Sequence, residues 1–369
     1  MTMSDNRLSP LFQPEVRSTA SILHEESWQG RAYLPSPAVL LLASVLTIGL
    51  GFLYVASFLM ISDGLPTVTA VIIGVFLIVG IAITTVTSRA VGRVRAIDIA
   101  LSVAAAALTL LMARSMGVPV IVAASCVAII IGVMCLPGQA IDANAAGAGY
   151  TGAFVGMMSS DVLLNTVRVL GAALIAGVLW SLIGPAVWDG VGGRMGAVAY
   201  ISASGLYLVA DLVGDVRDGV APPALDGLAH VSVVPIGCAA ALVTWALIQR
   251  RGLPFVLASG LTSLAVCGVI ALTVPHGAPL AAAWFGGTMV GGAGTGRLPN
   301  ASWVGLAGLV FGLLTLHFSG PLSGHVGVLG ATATIAGLAV GALEWMVLAP
   351  AVQRRGARIR ARLRGGAAA

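Results

Sequence analysis

A glycine-rich pattern occurs twice in this chain at an almost constant spacing. Residues 152–156 read Gly-Ala-Phe-Val-Gly, and residues 287–291, 135 positions later, read Gly-Thr-Met-Val-Gly. Each motif is followed by a long apolar segment and then by a Gly-x-x-Gly-Ala sequence, at 193–197 and at 327–331. Self-similarity of this kind predicts a duplicated structural unit. In a membrane protein, weakly hydrophobic segments at matching places in two halves point to a binding site near the midplane.

Composition places the chain in a membrane. Hydrophobic residues make up 58% of it and charged residues only 9%, and the mean hydropathy is +1.01. Soluble domains carry about 25% charged residues, so this chain lacks the polar residues that a water-exposed surface needs. The apolar runs are continuous rather than alternating, which favours helices over a barrel. We therefore expect an all-α integral membrane protein.

The pattern of apolar and charged segments predicts five regions. A cytoplasmic tail over 1–35 precedes two extra transmembrane helices over 36–88, which have no counterpart in the repeat. Membrane repeat 1 covers 96–213 and membrane repeat 2 covers 230–349, and a basic cytoplasmic tail covers 350–369. Altogether the sequence predicts 10–12 transmembrane segments in two homologous repeats.

The number of crossings depends on two glycine-rich segments, 143–158 and 279–293, which are too polar or too rich in small residues for ordinary spans. If both re-enter and return, there are ten spans and the repeats are parallel. If both cross as broken helices, there are twelve crossings and the repeats are inverted. The inverted arrangement places Arg250 and Arg251 on the cytoplasmic side, which agrees better with the excess of arginine expected there. We prefer the inverted arrangement.

The glycine cores and the polar residues near them are the candidate sites. A segment without side chains lets backbone groups line a narrow path. Small residues also let helices pack closely, which is the alternative function of such glycines. The candidate path residues are Gly152, Val155, Gly156, Asn165, Arg168, Gly287, Thr288, Val290, Gly291 and Asn300.

Three of these polar candidates have a second interpretation. Asn165 and Asn300 lie 135 residues apart and either contact a solute or cap the helix that follows each of them. Arg168 lies one turn inside an apolar span, where it either contacts an anion within the bundle or reaches out to the membrane surface.

These features predict a channel or secondary transporter for a small polar or anionic solute, with its path between the two repeats. The alternative is a non-transporting subunit or assembly factor of a larger membrane complex. We expect no enzyme activity, because the chain lacks the cluster of acid, base or metal ligands that an intramembrane enzyme needs. For the same reason we expect no cofactor and no metal.

Residues 149–156 are similar to a short glycine motif in the urea-transporter half. The predicted architecture also resembles urea and ammonium channels, which repeat a unit with half-helices near the midplane. The second half of this chain keeps little of that motif. The resemblance therefore implies an architecture, and we carry over no site residue from it.

The remaining expectations concern surroundings and partners. Every basic residue other than histidine is arginine, and the abundance of alanine and glycine is typical of a bacterial protein. We therefore expect a bacterial cytoplasmic (inner) membrane, with both termini in the cytoplasm. The arginine-rich tail suits anionic lipid headgroups, and no feature points to nucleic acid. A homo-oligomer or a membrane-complex partner is compatible with the sequence.

Overall fold

The chain folds into α-helices, and no strand occurs in the residues that the structure describes. The structure, a computed structural model, describes residues 93–158, 165–184, 187–212, 227–275, 277–318, 327–344 and 346–347. All of them belong to one compact unit, Pro35–Ala369. The predicted tails and the two extra helices over 36–88 lie outside the described residues.

The described residues contain two sets of five helices, which we name the first and second bundle. The first bundle consists of α1 Ala96–Ser115, α2 Val120–Met134, α3 Ala143–Gly156, α4 Thr166–Ile183 and α5 Arg194–Leu212. The second consists of α6 Gly227–Arg251, α7 Phe255–Thr273, α8 Ala278–Val290, α9 Ala301–Phe318 and α10 Val328–Glu344. The first residues of α7, α8 and α9 lie 135 positions after those of α2, α3 and α4, and α10 begins 134 positions after α5.

The first turn of each bundle has the same local cause. Gly117 and Gly252 adopt positive φ angles of 64° and 65°, which glycine reaches without the steric cost of a side chain. Pro119 and Pro254 follow and occupy the position just before α2 and α7. Because proline cannot continue a preceding helix but fits the start of a new one, each Gly-x-Pro sequence ends one helix and begins the next.

Four helical segments within the described residues are long and apolar enough to cross a membrane. They are Ala96–Ser115, Thr166–Ile183, Val231–Arg251 and Phe255–Thr273. This agrees with the prediction of a membrane-embedded, multi-pass helical protein. The glycine-rich helices α3 and α8 have only 14 and 13 residues. At 1.5 Å per residue each is about 20 Å long, less than the ~30 Å of a hydrocarbon core.

Hydrogen bonds show which helix ends lie together in the first bundle. Asp98 at the start of α1 accepts from Asn144 at the start of α3 and from Ser181 at the end of α4, both at 3.0 Å. At the other end of α1, Arg114 donates to Thr166, the first residue of α4, at 3.0 Å. We name these two ends the Arg95 end and the Arg114 end. The start of α3 and the start of α4 therefore lie at opposite ends of the bundle.

Two pairs of corresponding helices meet between the bundles, and both pairs are antiparallel. A Cβ added to Gly132 near the end of α2 would lie 2.6 Å from the Cα of Leu257 near the start of α7. A Cβ added to Gly260, further along α7, would lie 3.0 Å from the Cβ of Ala128, earlier in α2. Residue numbers therefore rise along one helix as they fall along the other. Helix α7 begins at the Arg95 end, whereas its counterpart α2 begins at the Arg114 end.

Helices α5 and α10 cross in the same manner, with their backbones in contact. A Cβ on Gly196 would lie 2.6 Å from the Cα of Gly330, and Gly196 and Gly330 occupy corresponding positions. Gly193 lies against the carbonyl of Gly330, and Gly327 lies against the carbonyl of Gly196. The first turn of α5 thus packs against the first turn of α10.

Candidate functional site

The four glycines of the repeated motifs lie at helix contacts. Added Cβ atoms on Gly152 and Gly287 would collide with the carbonyl oxygens of Ser102 and Gly237, residues that are themselves 135 positions apart. A Cβ on Gly156 would lie 2.6 Å from the carbonyl oxygen of Ala106 in α1. The structure therefore favours the packing interpretation for the small residues at these positions.

Gly291 repeats the packing of Gly156 in the second bundle. Its added Cβ would lie 2.5 Å from the carbonyl oxygen of Ala241, the residue that corresponds to Ala106. Val155 and Val290, which accompany these glycines in the motifs, are fully buried in the hydrophobic core. The two motifs thus hold α3 against α1 and α8 against α6.

Both candidate asparagines cap helices. The side chain of Asn165 accepts from the backbone N–H of Val167 at 2.9 Å, at the start of α4. The side chain of Asn300 accepts from the backbone N–H of Ser302 at 3.1 Å, at the start of α9. Each side chain therefore has the capping function that competed with solute contact in the sequence. Arg168, one turn into α4, is half-buried at the Arg114 end.

A cavity of about 190 Å³ lies between the two bundles. The first bundle lines it with the start of α3, with Phe154, and with residues 191–196 before and within the start of α5. The second bundle lines it with residues 254–256 at the start of α7 and with Met289 and Gly292 at the end of α8. The ten path residues suggested by the sequence are not among the residues that line this cavity.

Aromatic side chains lie beside the cavity. Phe154 and Met289, which both line it, occupy corresponding positions in α3 and α8. The Phe154 ring lies 5.5 Å from that of Phe285 and 4.5 Å from that of Tyr150, and Tyr150 and Phe285 also correspond to each other. Phe154 and Met289 therefore line the cavity from equivalent positions of the two bundles, and Tyr150 and Phe285 pack against Phe154.

A buried chain of hydroxyl groups runs behind these rings. The Tyr150 hydroxyl lies 2.8 Å from the Ser259 hydroxyl, which lies 2.7 Å from that of Thr288. Thr288 donates to the carbonyl of Phe285 at 2.7 Å, so the preceding hydroxyls can each donate to the next. Among the candidate path residues, Thr288 is the one that these hydroxyl contacts connect to the other bundle.

Arg194 begins α5 and lines the cavity. Its Nη1 donates to the carbonyl of Gly184 at 2.8 Å and to the Asp189 carboxylate at 3.3 Å. Its guanidinium lies 5.3 Å from the centre of the Trp180 ring, within the range of a cation–π contact. The side chain is 24% exposed. Ionisable side chains inside membrane proteins are costly and usually serve a function, so this residue is a strong site candidate.

A second polar cluster connects to the same region from the Arg95 end. Asp98 is fully buried, and its Oδ1 has no hydrogen-bond partner among the described residues, although Arg95 Nε lies 3.7 Å away. Asn144, which donates to Asp98, accepts at its backbone carbonyl from the Trp180 indole at 2.8 Å. Trp180 in turn contacts Arg194. The buried carboxylate is thus linked to the cavity through two intermediate side chains.

Asp142 anchors the start of α3 beside this cluster. Its carboxylate accepts from the backbone N–H of Ala145 at 2.8 Å and pairs with Arg95 at 2.9 Å. The hydrogen bond from Ala145 is the main cause that lowers the pKa of Asp142, and Arg95 adds to the effect. Asp142 therefore stays ionised as a cap at neutral pH.

The sequence analysis did not single out Arg194, Phe154 or Ser259. The available signal for Arg194 was an arginine at the start of an apolar span, inside a repeated motif whose second copy has Val328 there. For Phe154 and Ser259 no signal was available, because an aromatic or hydroxyl residue in an apolar helix is commonplace. Groups of three or more histidine, cysteine or acidic side chains able to hold a metal ion are lacking in the described part of the chain.

Comparison with protein-family models, with curated proteins and with solved structures gives no match for this chain.

Proposed function

We propose that the protein is a channel or secondary transporter in which a small polar or anionic solute passes between two inverted repeats. The observation that carries the proposal is the cavity of about 190 Å³ between the bundles, which residues of both bundles line and to which Phe154 and Met289 contribute from corresponding positions. In transporters built from inverted repeats, solute sites lie near the midplane at the interface between the repeats.

The corresponding helices begin at a nearly constant offset, which supports a repeat, and two further features support its inverted arrangement. The pairs α2–α7 and α5–α10 meet their counterparts in antiparallel fashion. Helices α3 and α4 begin at opposite ends of the first bundle, which supports five crossings per repeat. An odd number of crossings places the second repeat upside down with respect to the first.

The distribution of arginine supports a cytoplasmic Arg95 end. Arg93 and Arg95 precede α1 there, and Arg250 and Arg251 join α6 to α7 there. The Arg114 end carries Arg114 and Arg168. An excess of arginine marks the cytoplasmic side of membrane proteins, so we propose that the cavity opens toward the cytoplasm.

Cys135 provides a direct test, because it lines the cavity and is only partly buried. The purified protein is reconstituted into liposomes, and flux is measured for a panel of small polar and anionic solutes. We expect flux above that of protein-free liposomes. A membrane-impermeant sulfonate thiol reagent should reduce that flux when it is applied from the cytoplasmic side, because the added group occupies the cavity.

The matched control is Cys135→Ser, which should keep its flux and lose its sensitivity to the reagent. Cys126, Cys238 and Cys267 remain in this variant, so it separates modification in the cavity from modification elsewhere. Flux that is insensitive to the reagent in the wild type would place the path elsewhere. Absence of flux for every solute would contradict transport.

A second candidate function is a non-transporting subunit of a membrane complex. The close packing of Gly152, Gly156, Gly287 and Gly291 favours it, since these glycines have a structural role without any transported solute. The cavity, with a half-buried arginine in its wall, is the observation that leads us to prefer transport.

A further inference from the structure

Arg194 lies close to the point at which the two bundles meet their own counterparts. It precedes Gly196 by two residues, and Gly196 contacts the corresponding Gly330. Two residues of helix correspond to about 3 Å along the axis. If the repeats are inverted, contacts between corresponding residues lie on an axis in the membrane plane. Arg194 then lies between that axis and the Arg95 end, where its guanidinium contacts the carbonyl of Gly184 at the end of α4.

The Arg194 guanidinium has N–H groups that are not used in hydrogen bonds to the described residues. Within the described residues, both of its hydrogen bonds use Nη1, which leaves Nε and Nη2 for other acceptors. The Asp189 carboxylate contacts it at 3.3 Å and is 39% exposed, so water shares in the solvation of that carboxylate. A protein that only needed to neutralise Arg194 in the membrane would surround it with acceptors more completely.

The surroundings hold the guanidinium in a fixed position at the cavity wall. Gly184 and Asp189 fix Nη1, and Trp180 lies 5.3 Å from the guanidinium carbon. The same wall contains the start of α5, whose first backbone N–H groups have no acceptor in a preceding turn of that helix. A planar set of guanidinium donors with a fixed orientation matches the two oxygens of a carboxylate.

We propose that Arg194 is the recognition residue of the cavity and that the solute is a small carboxylate. This inference rests on the proposed transport function and narrows its substrate class. The cavity volume of about 190 Å³ accommodates carboxylates of a few heavy atoms. The cation offsets the cost of moving an anion out of water into the cavity, and the corresponding position of the second bundle, Val328, has no charge.

The test compares each carboxylate with the amide of the same shape. Full-length protein in liposomes is assayed at neutral pH for flux of formate against formamide and of acetate against acetamide, after subtraction of flux in protein-free liposomes. We expect the carboxylates to cross about tenfold faster than the amides, because a charge-assisted hydrogen bond to Arg194 favours the charged partner.

Two substitutions then separate recognition from structural pairing, because both remove the ion pair between Arg194 and Asp189. Arg194→Gln should lower the ratio of carboxylate to amide flux about tenfold. Asp189→Asn removes the competing carboxylate and should raise the ratio of carboxylate to amide flux. Arg194→Lys keeps the charge but not the planar set of donors, and it should lie between wild type and Arg194→Gln.

The outcomes distinguish the two levels of the proposal. Equal rates for carboxylates and amides in the wild type would overturn the carboxylate assignment and leave transport standing. A ratio that falls as much in Asp189→Asn as in Arg194→Gln would assign Arg194 a purely structural role. If no solute crosses at all, both the transport function and its substrate class are rejected. The wild-type comparison decides the matter even if a variant fails to fold.

Discussion

The first bundle has a buried carboxylate and a cavity-lining guanidinium where the second bundle has valines. Asp98 corresponds to Val233 at an offset of 135, and Arg194 corresponds to Val328 at an offset of 134. The helix packing within the two bundles is otherwise closely similar, because the motif glycines contact the carbonyl groups of corresponding residues. Backbone packing thus repeats while these two charged side chains do not, which indicates that the fold depends on the shared features and that Asp98 and Arg194 are particular to the first bundle.

The largest expected effect tests the shared packing. Gly156→Leu and Gly291→Leu should each destabilise the folded protein by about 3 kcal/mol or more, because the new side chain meets the backbone of the adjacent helix. Size-exclusion profiles and thermal unfolding of the detergent-purified variants would measure the loss. We expect nearly equal effects at the two positions, since both glycines contact corresponding residues.

Each bundle provides its own control for this comparison. Added Cβ atoms on Gly205 in α5 and on Gly268 in α7 meet nothing within 4 Å. Leucine at these positions should therefore leave stability nearly unchanged. If the variants at Gly156 and Gly291 were as stable as these controls, the packing function of the motif glycines would be wrong.

The second prediction tests the difference between the bundles. Asp98→Ala should cost about 3 kcal/mol of unfolding free energy, because it removes the acceptor of Asn144 and Ser181 and leaves Arg95 without its nearest buried partner. Val233→Ala should cost about 1 kcal/mol, since it removes only apolar contacts. Thermal unfolding in one detergent compares the two, and equal losses would mean that the buried carboxylate has no special structural weight.

The smallest expected effect concerns the hydroxyl chain between the bundles. Tyr150→Phe makes position 150 identical to its counterpart Phe285 and removes one hydrogen bond to Ser259. Ser259 keeps its bond to Thr288, so we expect a loss of about 1 kcal/mol. Phe154→Leu, which alters the adjoining ring contacts without touching the hydroxyl chain, provides the comparison. A loss above that of Asp98→Ala would show that the hydroxyl chain dominates the contact between bundles.

The all-helical, membrane-embedded character of the protein was predictable from the sequence, because apolar runs and capping residues act locally. Asn165 and Asn300 cap helices, as one of their two interpretations required. The cavity could not be predicted from the sequence, because its residues come from four helices and from the loops that adjoin them. Arg194 is the clearest example of a cavity residue that the sequence analysis missed. The repeated Gly-x-x-Gly pattern draws attention to Gly193 and Gly196, whereas Arg194, which differs from its counterpart Val328, lines the cavity together with them.

The crossing of α5 and α10 restricts how the bundles can move against each other. With no side chain between Gly196 and Gly330, the two backbones touch, and a substantial slide would force neighbouring residues into collision. The contact between Gly196 and Gly330 permits one bundle to tilt against the other. Such a tilt widens the interface between the bundles on one side of the contact and narrows it on the other side. In the transporter that we propose, a tilt of this kind would expose a bound solute to the two sides of the membrane in turn.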